Sequence, residues 1–150
     1  MKPLQDIIRN RCRPLAPLPT GTAARLDPLS SIKAVLFDVY GTLFISGSGD
    51  VGTAAATDTA EAMTQALEAA HYRGDLQKAG VLGKERLKAE VLEWHAASRA
   101  AGIECPEVDI TRIWKKVVTG LRKEGVLKPP RLDIEPIRKL ALEYECLVNP

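Results

Sequence analysis

The 150-residue sequence predicts a mainly α protein with one strand. Three observations carry that reading. Apolar residues recur at helical spacing in four segments after residue 53. A continuous apolar run without alternation, at residues 32 to 39, reads as the one convincing strand. Prolines and glycines punctuate the joins. With 45% hydrophobic and 27% charged residues, the chain has ordinary globular composition and enough length to bury one core.

Leu4 to Cys12 has Leu4, Ile7 and Ile8 on one side of a short helix that ends against Pro14. Pro14, Pro17, Pro19 and Pro28, with Gly21, make residues 14 to 30 an extended linker or surface-hugging arm. Ala34, Val35, Leu36 and Phe37 then follow one another without a polar break, as in a strand covered on both faces. Residues 46 to 53, Ser-Gly-Ser-Gly-Asp-Val-Gly-Thr, form a flexible loop by composition.

Of the four later helices, the first carries Ala60, Met63, Leu67 and Ala70, with Thr57 or Asp58 placed to cap it. The second runs from about Lys84 to Ala101, with Leu87, Val91, Trp94 or His95, and Ser98 on one face, and stops at Gly102. In the third, Asp109 caps a stripe of Ile110, Ile113, Trp114, Val117, Val118 and Leu121 that ends before Gly125. The fourth begins near Asp133, after Pro129 and Pro130, and carries Ile134, Ile137, Leu140, Ala141 and Tyr144. Pro136 falls in its first turn, where no backbone N–H is needed. The chain thus divides into an arm and linker (1–31), a strand with its turn motif and loop (32–53), and a helical domain (54–150).

Composition removes several function classes. A net charge of +2 is too small for nucleic acid or an anionic membrane surface, and aromatics at 5% are too sparse for base stacking. No apolar run approaches the about 18 residues of a membrane span, and the N-terminus lacks a signal-type apolar segment. Arg9, Arg11, Arg13 and Arg25 near the start resemble a transit peptide faintly but read more simply as a solvated basic lead-in. Cys12, Cys105 and Cys146 are an odd number at wide spacing, read as reduced thiols in a cytoplasmic protein. His71 and His95 lack partners at metal-ligand spacing, and Trp94 and Trp114 fall on apolar helix faces as core residues. Gly47, Gly49 and Gly52 lack both the spacing and the Lys-Ser/Thr ending of a phosphate loop.

The chemistry-bearing feature is Asp38, delivered by the strand into the Gly41-Thr42 turn, where open α/β sheets place reactive groups. Asp38 is a candidate nucleophile. Asp38-Val39-Tyr40-Gly41-Thr42-Leu43, ahead of a glycine-rich loop and a helical segment, resembles the first motif of the haloacid dehalogenase-like (HAD) hydrolase superfamily. The stretch from Ile103 to Val117, with Pro106-Glu107-Val108-Asp109 entering a Trp-containing helix, is similar to the helical cap of that family.

The resemblance implies a helical cap-type bundle attached to the first strand of an otherwise missing Rossmann-like core. It makes Asp38 the nucleophile that forms an aspartyl intermediate with a carbon–halogen or phosphate-ester substrate. Tyr40 then stands where phosphatase members have a second aspartate as general acid and base. A phenol with a pKa of about 10 shuttles protons poorly at neutral pH, which points toward the dehalogenase branch. Thr42 would donate from the turn to the ligand, and Arg73, in Tyr72-Arg73-Gly74-Asp75, would grip a substrate carboxylate or departing halide. Phosphatase chemistry would instead add Mg²⁺, held by the Asp38 carboxylate and the Tyr40 backbone carbonyl.

The family's later groups, a Ser or Thr ending a second strand, a Lys and an acidic pair, are not found after the helices. The expectation is therefore an N-terminal hydrolase segment, inactive alone, that meets a small-molecule substrate only when a complete core is supplied. The alternative is a non-catalytic helical module acting through self-association or a partner. Both edges of a lone strand are unpaired, so residues 32 to 39 would pair in a homo-oligomer or lie under the N-terminal arm.

Overall fold

The computed structural model describes residues 4–12, 21–25, 27–28, 30–38, 43, 59–128 and 134–148. Among these are five helices: α1 (Leu4–Arg11), α2 (Thr59–Ala69), α3 (Leu76–Ala100), α4 (Ile110–Lys123) and α5 (Ile134–Val148). Two short strands, β1 (Arg73–Gly74) and β2 (Leu127–Lys128), complete the described elements. The mainly helical expectation is met.

The helix α4 shows how local sequence makes an element. The Asp109 side chain accepts the backbone N–H of Arg112 at 3.1 Å, so the first turn is capped. Ile113, Trp114, Val117, Val118 and Leu121 then fall on one buried face, while Lys115 and Lys116 face water. The helix α3 begins two turns earlier than its apolar pattern suggests. Asp75 caps it by accepting the N–H of Lys78 at 3.0 Å, and its early turns bury Ala79, Gly80 and Gly83. Glycine lowers helix propensity by about 1 kcal/mol, so these turns are invisible to a propensity reading. Packing against α2 supplies what propensity does not. Gly102, with a φ of +85°, follows its end.

Each helix of the α2–α5 set packs on two others, in the closed order α2, α3, α4, α5 and back to α2, while α1 docks onto α5. At the centre Met63, Leu67, Ile113, Val117, Val118, Leu121 and Leu140 are fully buried. Trp114 and Tyr144 meet edge to face across the α4–α5 contact, with ring centroids 5.2 Å apart.

The two strands lie in the α2–α3 and α4–α5 connections and pair antiparallel, Arg73 opposite Lys128 and Gly74 opposite Leu127. They therefore bring the C-terminal ends of α2 and α4 and the N-terminal end of α3 to one end of the bundle. Gly74 is required there: its φ is +136°, and a Cβ would collide with the Val126 carbonyl and approach Leu127 Cα at 3.0 Å. The Asp75 N–H continues the contact, donating to the Val126 carbonyl at 3.0 Å.

The strand expected at residues 32 to 39 is the main correction. Residues 32 to 38 are irregular and exposed, with Val35 64%, Leu36 97% and Phe37 65% accessible. A strand of this type is stable when neighbours satisfy both its edges and both its faces. The described residues contain one sheet, and both of its strands lie elsewhere. The expected caps Thr57 and Asp58 and the loop at 46 to 53 lie outside the described residues. No helix among the described residues is long and apolar enough to cross a membrane.

Candidate functional site

Asp38 is the last described residue of the irregular stretch that includes residues 32 to 38, and its side chain is exposed. Tyr40 and Thr42 lie outside the described residues. Arg73 is exposed on β1, within an open depression of about 740 Å³ lined by Arg73, Gly74, Asp75, Gly125, Val126 and Lys128. Asp38 does not line it, so the structure does not bring the expected nucleophile and the expected substrate-gripping arginine into one site.

The depression is built by the strand pairing. Register places Arg73 directly opposite Lys128, two cations on neighbouring strands whose mutual repulsion an anion would relieve. Lys128 is a residue that sequence reasoning missed, because only the register of a two-residue strand sets it beside Arg73. The carboxylate of Asp75, at the same rim, is committed to capping α3. This arrangement can hold an anionic group at a surface. It supplies no nucleophile for acting on one.

Other candidate groups near the bundle are chemically quiet. Burial pushes the Tyr72 phenol up to about 12, with nearby Arg122 opposing, so it stays protonated and moves no proton near neutral pH. A hydrogen bond from Lys116 Nζ to Glu90 at 2.7 Å raises the pKa of that ammonium, with Glu93 3.8 Å away, so Lys116 is no nucleophile. Trp94 is half-buried rather than central: its Nε1–H donates to the Glu107 carbonyl at 2.8 Å, and the Arg112 guanidinium sits 5.3 Å from its ring centroid. Trp94 thereby ties the α3–α4 connection to both helices. Trp114 is core, as its spacing suggests.

Among the described residues no three His, Cys, Asp or Glu side chains converge. Of the two donors expected for Mg²⁺, Asp38 offers one exposed carboxylate, and Tyr40 lies outside the described residues. A contact that sequence reasoning also missed joins Cys12 to Cys146, whose sulfurs lie 3.6 Å apart. Neither a protein-family model, nor a curated protein, nor a solved structure matches this chain.

Proposed function

We propose that this chain is the nucleophile-bearing, helical segment of a HAD-like hydrolase, inactive by itself. The observation that supports it most is the sequence from Ile32 to Leu43, in which an apolar run leads into Asp38-Val39-Tyr40-Gly41-Thr42-Leu43. The exposure of Ile32, Val35, Leu36 and Phe37 is consistent with a segment that other strands and helices cover in a complete core. On this reading α2 to α5 form the cap. Asp38 attacks carbon bearing halogen, or phosphorus, and water hydrolyses the aspartyl intermediate. Tyr40 in the general-acid position favours halide, which departs without a proton.

The reading is tested by mixing the chain with a separately expressed HAD-type core and assaying 2-haloacids and phosphate esters. Restored hydrolysis that disappears with Asp38→Ala supports it. Robust turnover by the chain alone, abolished by the same substitution, overturns the claim of inactivity.

A second reading, a non-catalytic module acting by association, draws on the same exposed apolar side chains together with the separation of Asp38 from the Arg73 depression. It requires concentration-dependent oligomers in sedimentation, weakened by Leu36→Asp, and no hydrolysis in any mixture. A monomer at all concentrations counts against it.

A further inference from the structure

Cys12 directly follows α1, and Cys146 lies in the last turn of α5, yet their Sγ atoms are 3.6 Å apart across 134 residues of sequence. The contact is held from both sides. Ile7 of α1 is buried, and Arg11 Nε donates to Glu143 Oε2 of α5 at 3.0 Å. The Cys12 N–H donates to the Ile8 carbonyl at 2.8 Å, which extends the helical path of α1 to the cysteine. Cys12 is half-buried and Cys146 buried, whereas Cys105 is exposed in the α3–α4 connection.

We infer that Cys12 and Cys146 form a reversible disulfide that clamps α1 to α5, so that docking of the N-terminal helix is under redox control. The sulfurs need to close by about 1.5 Å to reach bonding distance. The oxidant is a small-molecule disulfide, and the steps balance. The more accessible Cys12, as thiolate, attacks one sulfur of that disulfide, forming a mixed disulfide and expelling one thiolate. The Cys146 thiolate then attacks Cys12 Sγ, forming the intramolecular bond and expelling the second thiolate. Two protein thiols are oxidised, one small-molecule disulfide is reduced to two thiols, and the protons pass to the expelled thiolates.

Burial, the hydrogen bond and charge of Cys12, and the carboxylates of Glu143 and Glu145 push the Cys146 thiol up to about 12. Arg11, facing this pair from α1, is engaged by Glu143. Capping Cys12 as a mixed disulfide removes its hydrogen bond and its charge, leaving burial and the two carboxylates. The closing step is therefore slow near neutral pH and quickens as pH rises. The long loop that the bond closes restricts the unfolded chain, so oxidation stabilises the fold as well as holding α1 in place.

The test uses the full chain with Cys105→Ser, which removes the exposed thiol that could link two molecules. The protein is equilibrated in oxidised and reduced glutathione, quenched, denatured, and its remaining thiols titrated. Both remaining thiols disappear together, with no glutathione retained. Trypsin, for which the Arg13–Pro14 bond is resistant, releases Cys12–Arg25 linked to Leu140–Pro150. The Tm rises by about 5 to 10 °C, returns on reduction with dithiothreitol, and does not move when Cys12→Ser or Cys146→Ser is added. Persistence of both thiols, glutathione left on Cys12 as the end product, or bonds found between chains alone would overturn the inference.

Discussion

Gly80 and Gly83 occupy the same buried face of α3, but alanine is costly at one position and nearly neutral at the other. In an ordinary helix either change gains about 1 kcal/mol, because alanine restricts the unfolded chain and favours helix. At Gly80 the added Cβ would overlap Thr64 Oγ1 and lie 2.6 Å from the Ala60 carbonyl oxygen, which is backbone and cannot swing aside. Nor is Thr64 free to rotate without cost, since its hydroxyl donates toward Ala60 O at 3.0 Å and lies 3.3 Å from Leu76 O. Separating α2 from α3 to make room costs about 1–3 kcal/mol as overpacking, and disturbing the threonine bond about 1 kcal/mol more. Net of the helix gain, Gly80→Ala destabilises by about 1–3 kcal/mol.

At Gly83 the nearest atoms are Met63 Cγ at 3.1 Å and Sδ at 3.3 Å, the flexible part of an adaptable side chain. Gly83→Ala therefore stays within about 1 kcal/mol of wild type, on either side of zero. Urea unfolding followed by far-ultraviolet circular dichroism and tryptophan fluorescence separates the two. Adding Thr64→Ala to Gly80→Ala recovers part of the loss but not all, because the Ala60 carbonyl remains. If Gly80→Ala matches or exceeds wild-type stability, the close approach of α2 and α3 is wrong, and with it the reason for glycine in the first turns of α3.

The caps are testable in the same assay: Asp75→Ala and Asp109→Ala each cost about 1 kcal/mol, with asparagine recovering most of the loss, and a change near zero removes the cap from the account. Stability also falls above about pH 9. Tyr72 and Cys146 are both pushed up to about 12 in the fold, from 10.0 and 9.0, and burial moves Tyr144 the same way. The unfolded chain therefore releases these protons first, so their contribution is complete below the unfolded pKa and is lost as pH rises toward the folded one. The ceiling is about 1.4 kcal/mol per pH unit and group, and solvent screening of these partly open groups lowers the loss by pH 11 to on the order of 1 kcal/mol. Urea midpoints that do not change between about pH 8 and about pH 10.5 would contradict this, and Tyr72→Phe should flatten the decline.

Legibility from sequence followed the range of the interaction. The α4 stripe, its Asp109 cap, and the helices carrying Met63 and Leu140 were readable because spacing within one helix decides which side chains share a face. The start of α3 was not, because Gly80 and Gly83 are chosen by the neighbouring helix rather than by helix propensity. Nor were β1 and β2, since two-residue strands carry no alternation and exist through pairing across the bundle end. The expected site divided in the same way. Asp38 and Arg73 were both expected from the family resemblance, but which residues line the depression beside Arg73 is a tertiary matter, and Asp38 is not among them.

By itself, then, the sequence determined a helical domain with an amphipathic α4 and a capped entry to it. The tertiary structure decided that residues 32 to 38 are not a strand, that Arg73 faces Lys128, and that Cys12 touches Cys146. Helical hydrogen bonds and stripes close within a few residues, so the local sequence specifies them. A strand, a cation pair and a thiol contact each need a partner far along the chain, and their existence depends on whether the fold brings that partner within reach.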